Sequence, residues 1–360
     1  MRSLLFPKII PFCLALLIAC SGPTPVPTID PTPTPKSTAL HLPLAEGITL
    51  PRDEGIHLAP VEWWYFNGHL EDGDGNQYSY HFVNFLTVTP EGLTPPLLQL
   101  GWADHGPGLS LTDEKPALAT SLKKTEGAFA FQLGTWAMAG DGSDYRIAFD
   151  TGGYALQLTA ASRKPAALHQ GSGLVDLGRA GQTYYYSRTR LEVSGTLIHA
   201  GNTKKVSGLA WMDHQWGDFS VMPVGWDWTS LQLDDGAELM VSMVWDANDK
   251  HPINGYGTYI PASSPAGHLT AADIQWSANG SWSSPATGAK YPLGWELKVE
   301  SLSLDLNLTP VIEDSEFGDS LYAPAAYWEG AVTVSGTRDG EPVNGRGFVE
   351  LVGYAQGPTN

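Results

Sequence analysis

The stretch Gly208–Asp235, GLAWMDHQWGDFSVMPVGWDWTSLQLDD, sets Trp211, Trp216, Trp226 and Trp228 beside Asp213, His214, Asp218 and Asp227. Indole faces next to carboxyl and imidazole groups suit a site that holds a greasy molecule and moves a proton. A carboxylic acid among apolar rings keeps its proton near neutral pH, because desolvation disfavours the anion. An imidazole orients such an acid or activates a water, and a ring face attracts a cation through its quadrupole. Glu62, directly before Trp63 and Trp64, is a second acid of this kind, with an ion pair to Arg188 or Arg190 equally open. The same letters also fit a purely structural role. Asp213 and His214 would then bond unpaired amides at a crossing loop, and Trp216, Trp226 and Trp228 would plug the ends of closed sheets.

Other chemistries find less support. There is no nucleophile elbow of the Gly-x-Ser-x-Gly type, and Gly171-Ser172-Gly173 reads as a turn. His-Glu-x-x-His, a phosphate loop and a dinucleotide fingerprint are all missing. His69 and His81 can meet across strands, but two histidines do not make a zinc site. No metal and no cofactor is expected. A glycosidase pair drawn from Glu62, Asp213, Asp218 and Asp227 stays open, since Trp faces stack on sugars.

The elements that must carry these residues are strands. In 360 residues, aromatics make up 11 % and charged residues 16 %, with 40 Gly and 27 Pro, a profile of strands joined by turns. Gln77–Val88 alternates: Tyr78, Tyr80, Phe82, Leu86 and Val88 point one way, Ser79, His81 and Thr87 the other. Val83 and Phe85 make the second face partly apolar too, so neither side is wetted. No long stretch has helical periodicity. Two internal echoes set the organisation. Trp63–Gly73 aligns without gaps on Trp226–Gly236, and Val193-Ser194-Gly195-Thr196 recurs as Val334-Ser335-Gly336-Thr337. Each of the latter is followed by a Gly-led strand, at Gly208 and Gly347. The expected fold is all-β, with one antiparallel barrel over 41–220 and a second over 221–360.

The N-terminus reads as an address. Arg2 and Lys8 precede the apolar run Ile9–Ala19, and Leu17-Ile18-Ala19-Cys20 resembles a lipobox in which Cys20 becomes lipidated. Residues 1–20 are the signal peptide, and the Pro/Thr-rich segment 21–40 is a stalk lifting the fold off a membrane. Cys13 falls in the removed part, so Cys20 has no partner for a disulfide. A formal charge of −18 repels a phosphate backbone and argues against nucleic acid as a partner.

Taken together, Glu62-Trp63-Trp64-Tyr65, Trp211-Met212-Asp213-His214-Gln215-Trp216-Gly217, Gly225-Trp226-Asp227-Trp228, Tyr327-Trp328-Glu329-Gly330 and Gly347-Phe348-Val349-Glu350-Leu351 carry a resemblance. The chain resembles the hydroxyneurosporene synthase family, the carotenoid 1,2-hydratases and their AttH-like secreted relatives. That resemblance implies two tandem lipocalin-like barrels. It also implies cofactor-free addition of water to an isoprenoid double bond, or a secreted hydrolase. His214 and Trp216 match catalytic positions of the hydratases, and Asp246 matches their downstream acid, with Val244 where they carry an aromatic hydroxyl. Asp213 or Asp246 would be the acid and His214 its orienter or the base. Trp63, Trp64, Trp211, Trp226, Asp227 and Trp228, with Glu62, would line the substrate. The rival reading is a non-catalytic carrier of a lipid-like molecule working beside ABC exporter subunits.

Overall fold

The computed structural model describes residues 47–89, 92–93, 96–116, 124–219, 224–318 and 326–355. The expected signal peptide, the expected lipidation position Cys20 and the expected stalk lie outside the described residues. Strand β1 (Val61–Asp72) and strand β2 (Gln77–Thr89) are buried on both faces along most of their length, one face apolar and the other partly so. Such strands need cover on two sides, and the fold supplies it. One face lines the interior of a barrel-like sheet; the other packs against a second sheet.

The first sheet continues with β3 (Leu97–Asp104), β4 (Leu109–Pro116), β5 (Phe129–Leu133), β6 (Trp136–Gly140), β7 (Asp144–Thr151), β8 (Tyr154–Ser162), β9 (Gly181–His199) and β10 (Asn202–Phe219). Its order is β4-β3-β2-β1-β10-β9-β8-β7-β6-β5. The second sheet holds β11 (Val224–Leu233), β12 (Glu238–Asp246), β13 (Pro252–Ile260), β14 (Gly267–Thr270), β15 (Gln275–Ser283), β16 (Lys290–Val299), β17 (Leu304–Pro310), β18 (Tyr327–Arg338) and β19 (Glu341–Val352). Its order is β14-β13-β12-β11-β19-β18-β17-β16-β15. The architecture is all-β with two barrel-like sheets, as the composition and the resemblance imply. In each, an opening strand pairs with the last strand of a long closing hairpin: β1 with β10, β11 with β19.

The internal echoes have a steric cause. A Cβ on Gly195 would sit 2.1 Å from the Gln157 carbonyl oxygen, and one on Gly336 would sit 2.1 Å from that of Asp305. Both repeats therefore put glycine where a neighbouring strand passes too close for any side chain. The partner of Gly208 is Gly345, two residues before the Gly347 suggested by the sequence. Leu70 faces Gly208 and Leu233 faces Gly345 in register. Their added Cβ atoms would strike the carbonyls of His69 and Gln232, which occupy matching places in the aligned strands.

The two interiors hold Trp64, Phe66, Phe82 and Trp136 in one case, and Leu231, Trp295, Leu306 and Val349 in the other. A third apolar cluster forms the seam between the sheets, with Tyr65, Val83, Tyr185, Trp211, Trp228, Met240, Tyr256 and Phe348. Charged clamps join the halves there. Lys164 Nζ lies 2.7 Å from Glu238 Oε2, and Arg190 donates to the other oxygen of Glu238, which is fully buried. Replacing Gly195 or Gly336 by Ala is expected to cost about 1–3 kcal/mol each by overpacking. Gly267→Ala, where an added Cβ meets nothing within 4 Å, serves as the neutral control. Urea unfolding of the three variants decides it; equal midpoints would refute the close-approach explanation.

Candidate functional site

Strand β10 governs where the sequence-predicted residues go. Successive side chains on a strand point to opposite faces. Trp211, Asp213 and Gln215 therefore face the seam, while Met212, His214 and Trp216 face the interior of the first barrel. The expected carboxyl–imidazole pair of Asp213 and His214 does not form. Each group has its own surroundings on its own side of the sheet.

At the seam, Asp213 is 4 % exposed and receives three donors. Tyr185 Oη donates to Oδ2 at 2.6 Å, Trp211 Nε1 donates to Oδ1 at 2.6 Å, and the Ser187 hydroxyl donates to Oδ1. Trp228 Nε1 donates to Tyr185 Oη at 3.0 Å, which makes a two-step chain onto the carboxylate. On the other side, His169 Nε2 lies 2.7 Å from Ser187 Oγ and its Nδ1 lies 2.9 Å from Thr258 Oγ1. Burial drives the His169 pKa down to about 3, so the ring is neutral and relays hydrogen bonds. Burial pushes Asp213 up to about 6, against the pull of Ser187, Tyr185 and Trp211.

The second sheet answers with two more acids. Glu329 and Glu350 stand directly opposite each other on β18 and β19, and Trp228 is the next partner in the row. Two carboxylates placed so close across a ladder repel, which favours the protonated form. Burial pushes Glu350 up to about 7, with the charge of Asp213 adding to it. Burial and then Glu350 raise Glu329 well above the usual carboxylate range. Trp226 Nε1 donates to Glu350 Oε2 at 3.0 Å. Tyr65 donates to Glu329 Oε1, and His81 Nδ1 lies 3.4 Å from Glu329 Oε2. A cavity of about 20 Å³, lined among others by Ser79, His81, Gly101, Thr112 and Glu329, adjoins this pair. It is large enough for roughly one water. Elsewhere in the seam cluster Trp63 meets Phe85 at 6.0 Å and Phe219 at 5.5 Å, both edge-on.

The remaining expected residues lie elsewhere. Glu62, Trp64, His214 and Trp216 sit inside the first barrel. Glu62 is paired with neither arginine: Arg188 pairs with Glu54 and Arg190 with Glu238. Burial raises the Glu62 pKa, but hydrogen bonds from His214 and His57 outweigh it and hold the carboxyl below its ordinary value. Asp227 is inside the second barrel, bonded by Tyr354 at 2.7 Å and by Trp276 at 3.1 Å. Asp246 ends β12 and pairs with Arg179, and backbone bonding from Asn248 keeps it ionised. It does not reach either cluster. His81 and His69 do not meet: His69 Nε2 bonds the Gly347 carbonyl at 3.1 Å. Among the described residues, His57, Glu62 and His214 form the one group that brings metal-ligand types together. A larger polar hollow of about 280 Å³ lies at the hairpin end of the first barrel, beside Tyr78, Asp104, Tyr154, His199 and Lys204.

The comparisons with known proteins agree with one another. The family described as AttH-like matches residues 43–354. A crystal structure named for AttH from Nitrosomonas europaea superposes with a TM-score of 0.78, at 29 % identity over 88 % of this chain and 99 % of that one. Kievitone hydratase from Nectria haematococca superposes with a TM-score of 0.66 at 19 % identity, over 81 % of this chain and 88 % of that one, which speaks for the fold. In sequence, kievitone hydratase of Fusarium solani subsp. phaseoli is 24 % identical over 58 % of this chain and 58 % of its own length. The dehydratase asqC of Emericella nidulans is 27 % identical over 53 % of this chain and 56 % of its own. The chain thus matches little more than half the length of these curated relatives.

The seam acids carry a pH signature. A carboxyl whose folded pKa lies above its unfolded value binds its proton more tightly in the folded state. Its contribution is complete below the unfolded value and is lost as pH rises through the folded one. For Glu350 that window runs from 4.5 to about 7, and for Asp213 from 3.8 to about 6. Glu350→Gln is expected to flatten the fall in stability across this window. Denaturant midpoints measured from pH 4 to 8 test it, and an unchanged slope would contradict the placement of Glu350.

Proposed function

The chain belongs to the AttH-like family, and from that premise we propose that it is a hydratase or dehydratase. It adds water to, or removes it from, a hydrophobic isoprenoid or lipid-like molecule held at the seam. The observation that carries this is the gathering of Asp213, Glu329 and Glu350 in one aromatic, water-poor place. The names of the related hydratase and dehydratase support the reaction type.

The environments divide the labour. Glu350 receives an indole N–H on one oxygen, is raised to about 7, and is only half-buried, so it can present a proton to a ligand. Asp213, held by three donors, is the better anion of the pair. In the hydration direction the Glu350 proton forms a C–H bond at the less substituted alkene carbon, using the π electrons. The positive charge falls on the more substituted carbon, beside the rings of Trp226, Trp228 and Tyr65. Water closes the C–O bond and gives its proton to Asp213, from which it returns to Glu350. The balance is alkene plus water to tertiary alcohol, and dehydration is the reverse. The cavity by His81 and Glu329 suits the water.

The test is turnover of a panel of prenyl-type alkenes and their tertiary alcohols in ¹⁸O-labelled water. The wild type should yield labelled alcohol or the alkene, and Glu350→Gln and Asp213→Asn should each lose at least about 100-fold. Equal turnover in the double variant would end the proposal. A ligand bound and recovered unchanged by the wild type would make the protein a carrier instead. We also propose that Cys20 anchors the protein on the outer face of a membrane. Cys20→Ala is expected to abolish incorporation of labelled palmitate, and retained labelling would exclude that anchor.

A further inference from the structure

Inside the first barrel, on the opposite face of β10 from the seam acids, three ligand-type side chains converge. Glu62 comes from β1, His214 from β10, and His57 from the segment that leads into β1. His57 Nδ1 lies 2.9 Å and His214 Nε2 lies 3.0 Å from the same oxygen, Glu62 Oε1. The three candidate ligand atoms all lie within 4.8 Å of one another. We propose that His57, Glu62 and His214 form a binding site for a first-row divalent cation such as zinc, separate from the proton chemistry of the seam.

Three features of the surroundings argue for it. First, both imidazoles have an oxygen waiting at the far ring nitrogen. His57 Nε2 faces Asp53 Oδ1 at 3.6 Å, and His214 Nδ1 faces Tyr186 Oη at 3.2 Å. Each ring can therefore move its proton to that side and present a lone pair to a metal without becoming charged. Such outer partners are what orient metal-bound histidines. Second, the ring planes are fixed. Trp216 stacks flat on His57 at 4.0 Å and 4°, and Trp64 stacks on His214 at 4.4 Å and 24°. Third, the carboxylate is pinned from behind. The amides of His57 and Leu58 donate to Glu62 Oε2 at 3.1 and 3.0 Å. Leu58 holds φ at 57°, a left-handed conformation that a bulky residue adopts only when its surroundings demand it.

Two imidazoles and one carboxylate match zinc, cobalt or nickel better than magnesium or calcium, which prefer oxygen ligands. Three protein ligands leave a further coordination position open. Glu62 and His214 are fully buried and the His57 side chain is 12 % exposed, so a cation enters past His57.

The experiment uses the full chain, stripped with chelator and titrated with Zn²⁺ or Co²⁺ alone. The expected result is one equivalent bound, visible d–d bands with Co²⁺, and a melting temperature raised by several degrees at saturating Zn²⁺. His57→Gln, on the partly exposed segment, and Glu62→Gln should weaken binding at least about 100-fold. Asp104→Asn, at the other end of the barrel, should not. The circular dichroism of each variant reports its fold. Failure of the folded wild type to bind either ion, or full binding by His57→Gln, would leave the three groups as a proton-linked network only. Neither readout involves turnover, so this outcome and that of the seam acids are decided separately.

Discussion

Three carboxyl groups that cannot all be ionised at once are the constraint around which the seam is built. Glu329 and Glu350 face each other across one ladder, and the charge of Asp213 reaches both. In water such a cluster would simply ionise and splay apart. Between two sheets it meets little water, and its partners are tyrosine, serine, tryptophan and a His81 ring that burial keeps neutral. Those donors offer no countercharge, so protons must stay. The clamps that do carry countercharge, Lys164 and Arg190 on Glu238, stand apart from this row. The sheets are held together by ion pairs in one place and kept acidic in another.

The row occupies matching positions in the two halves. Trp63–Gly73 and Trp226–Gly236 are equivalent, so Tyr65 matches Trp228. Tyr65 pairs with Asp213 and Trp228 pairs with Glu350. Asp213 and Glu350 are thus the same position in two copies of one sheet, and Ser187 and Glu329 are their matching neighbours on the next strand. The two copies present the same face to each other, much as subunits do in a twofold dimer. Asp213 receives three donors and Glu350 one, while burial raises both carboxyls above their ordinary values.

Much of this was legible in the letters, for definable reasons. Period-two alternation in Gln77–Val88, with a second face made partly apolar by Val83 and Phe85, points to a strand wetted on neither side, and the two internal echoes point to two sheets. The repeated glycines were visible, but their cause needed the neighbouring strand, and the equivalence of Gly208 with Gly345 needed the register. Asp213, Trp211 and Trp228 stand in one short stretch of sequence and meet at the seam through Tyr185 and a direct indole hydrogen bond. Glu329 and Glu350 stood within the quoted motifs yet carried no role, because nothing in sequence says that two strands far apart in the chain will place them opposite each other. Asp246 pairs with Arg179 away from this row, since a motif match fixes order along the chain, not the direction of a side chain.

The separation of Asp213 from His214 follows from the pleat alone. Adjacent residues on a regular strand never share a face, so a hydrogen-bonded pair of neighbours requires a bulge or a turn. β10 pairs with β1 without interruption across this stretch, and the register shift on its other side falls between Arg188 and Leu191, beyond it. The consecutive acid and imidazole therefore supply two chemistries instead of one. The acid joins a proton-rich row at the seam. The imidazole turns inward to a carboxylate and a second histidine that the matching position of the other half, Leu351, has no means to reproduce. The seam is a property of the duplicated sheet, whereas the His57–Glu62–His214 cluster belongs to the first half alone.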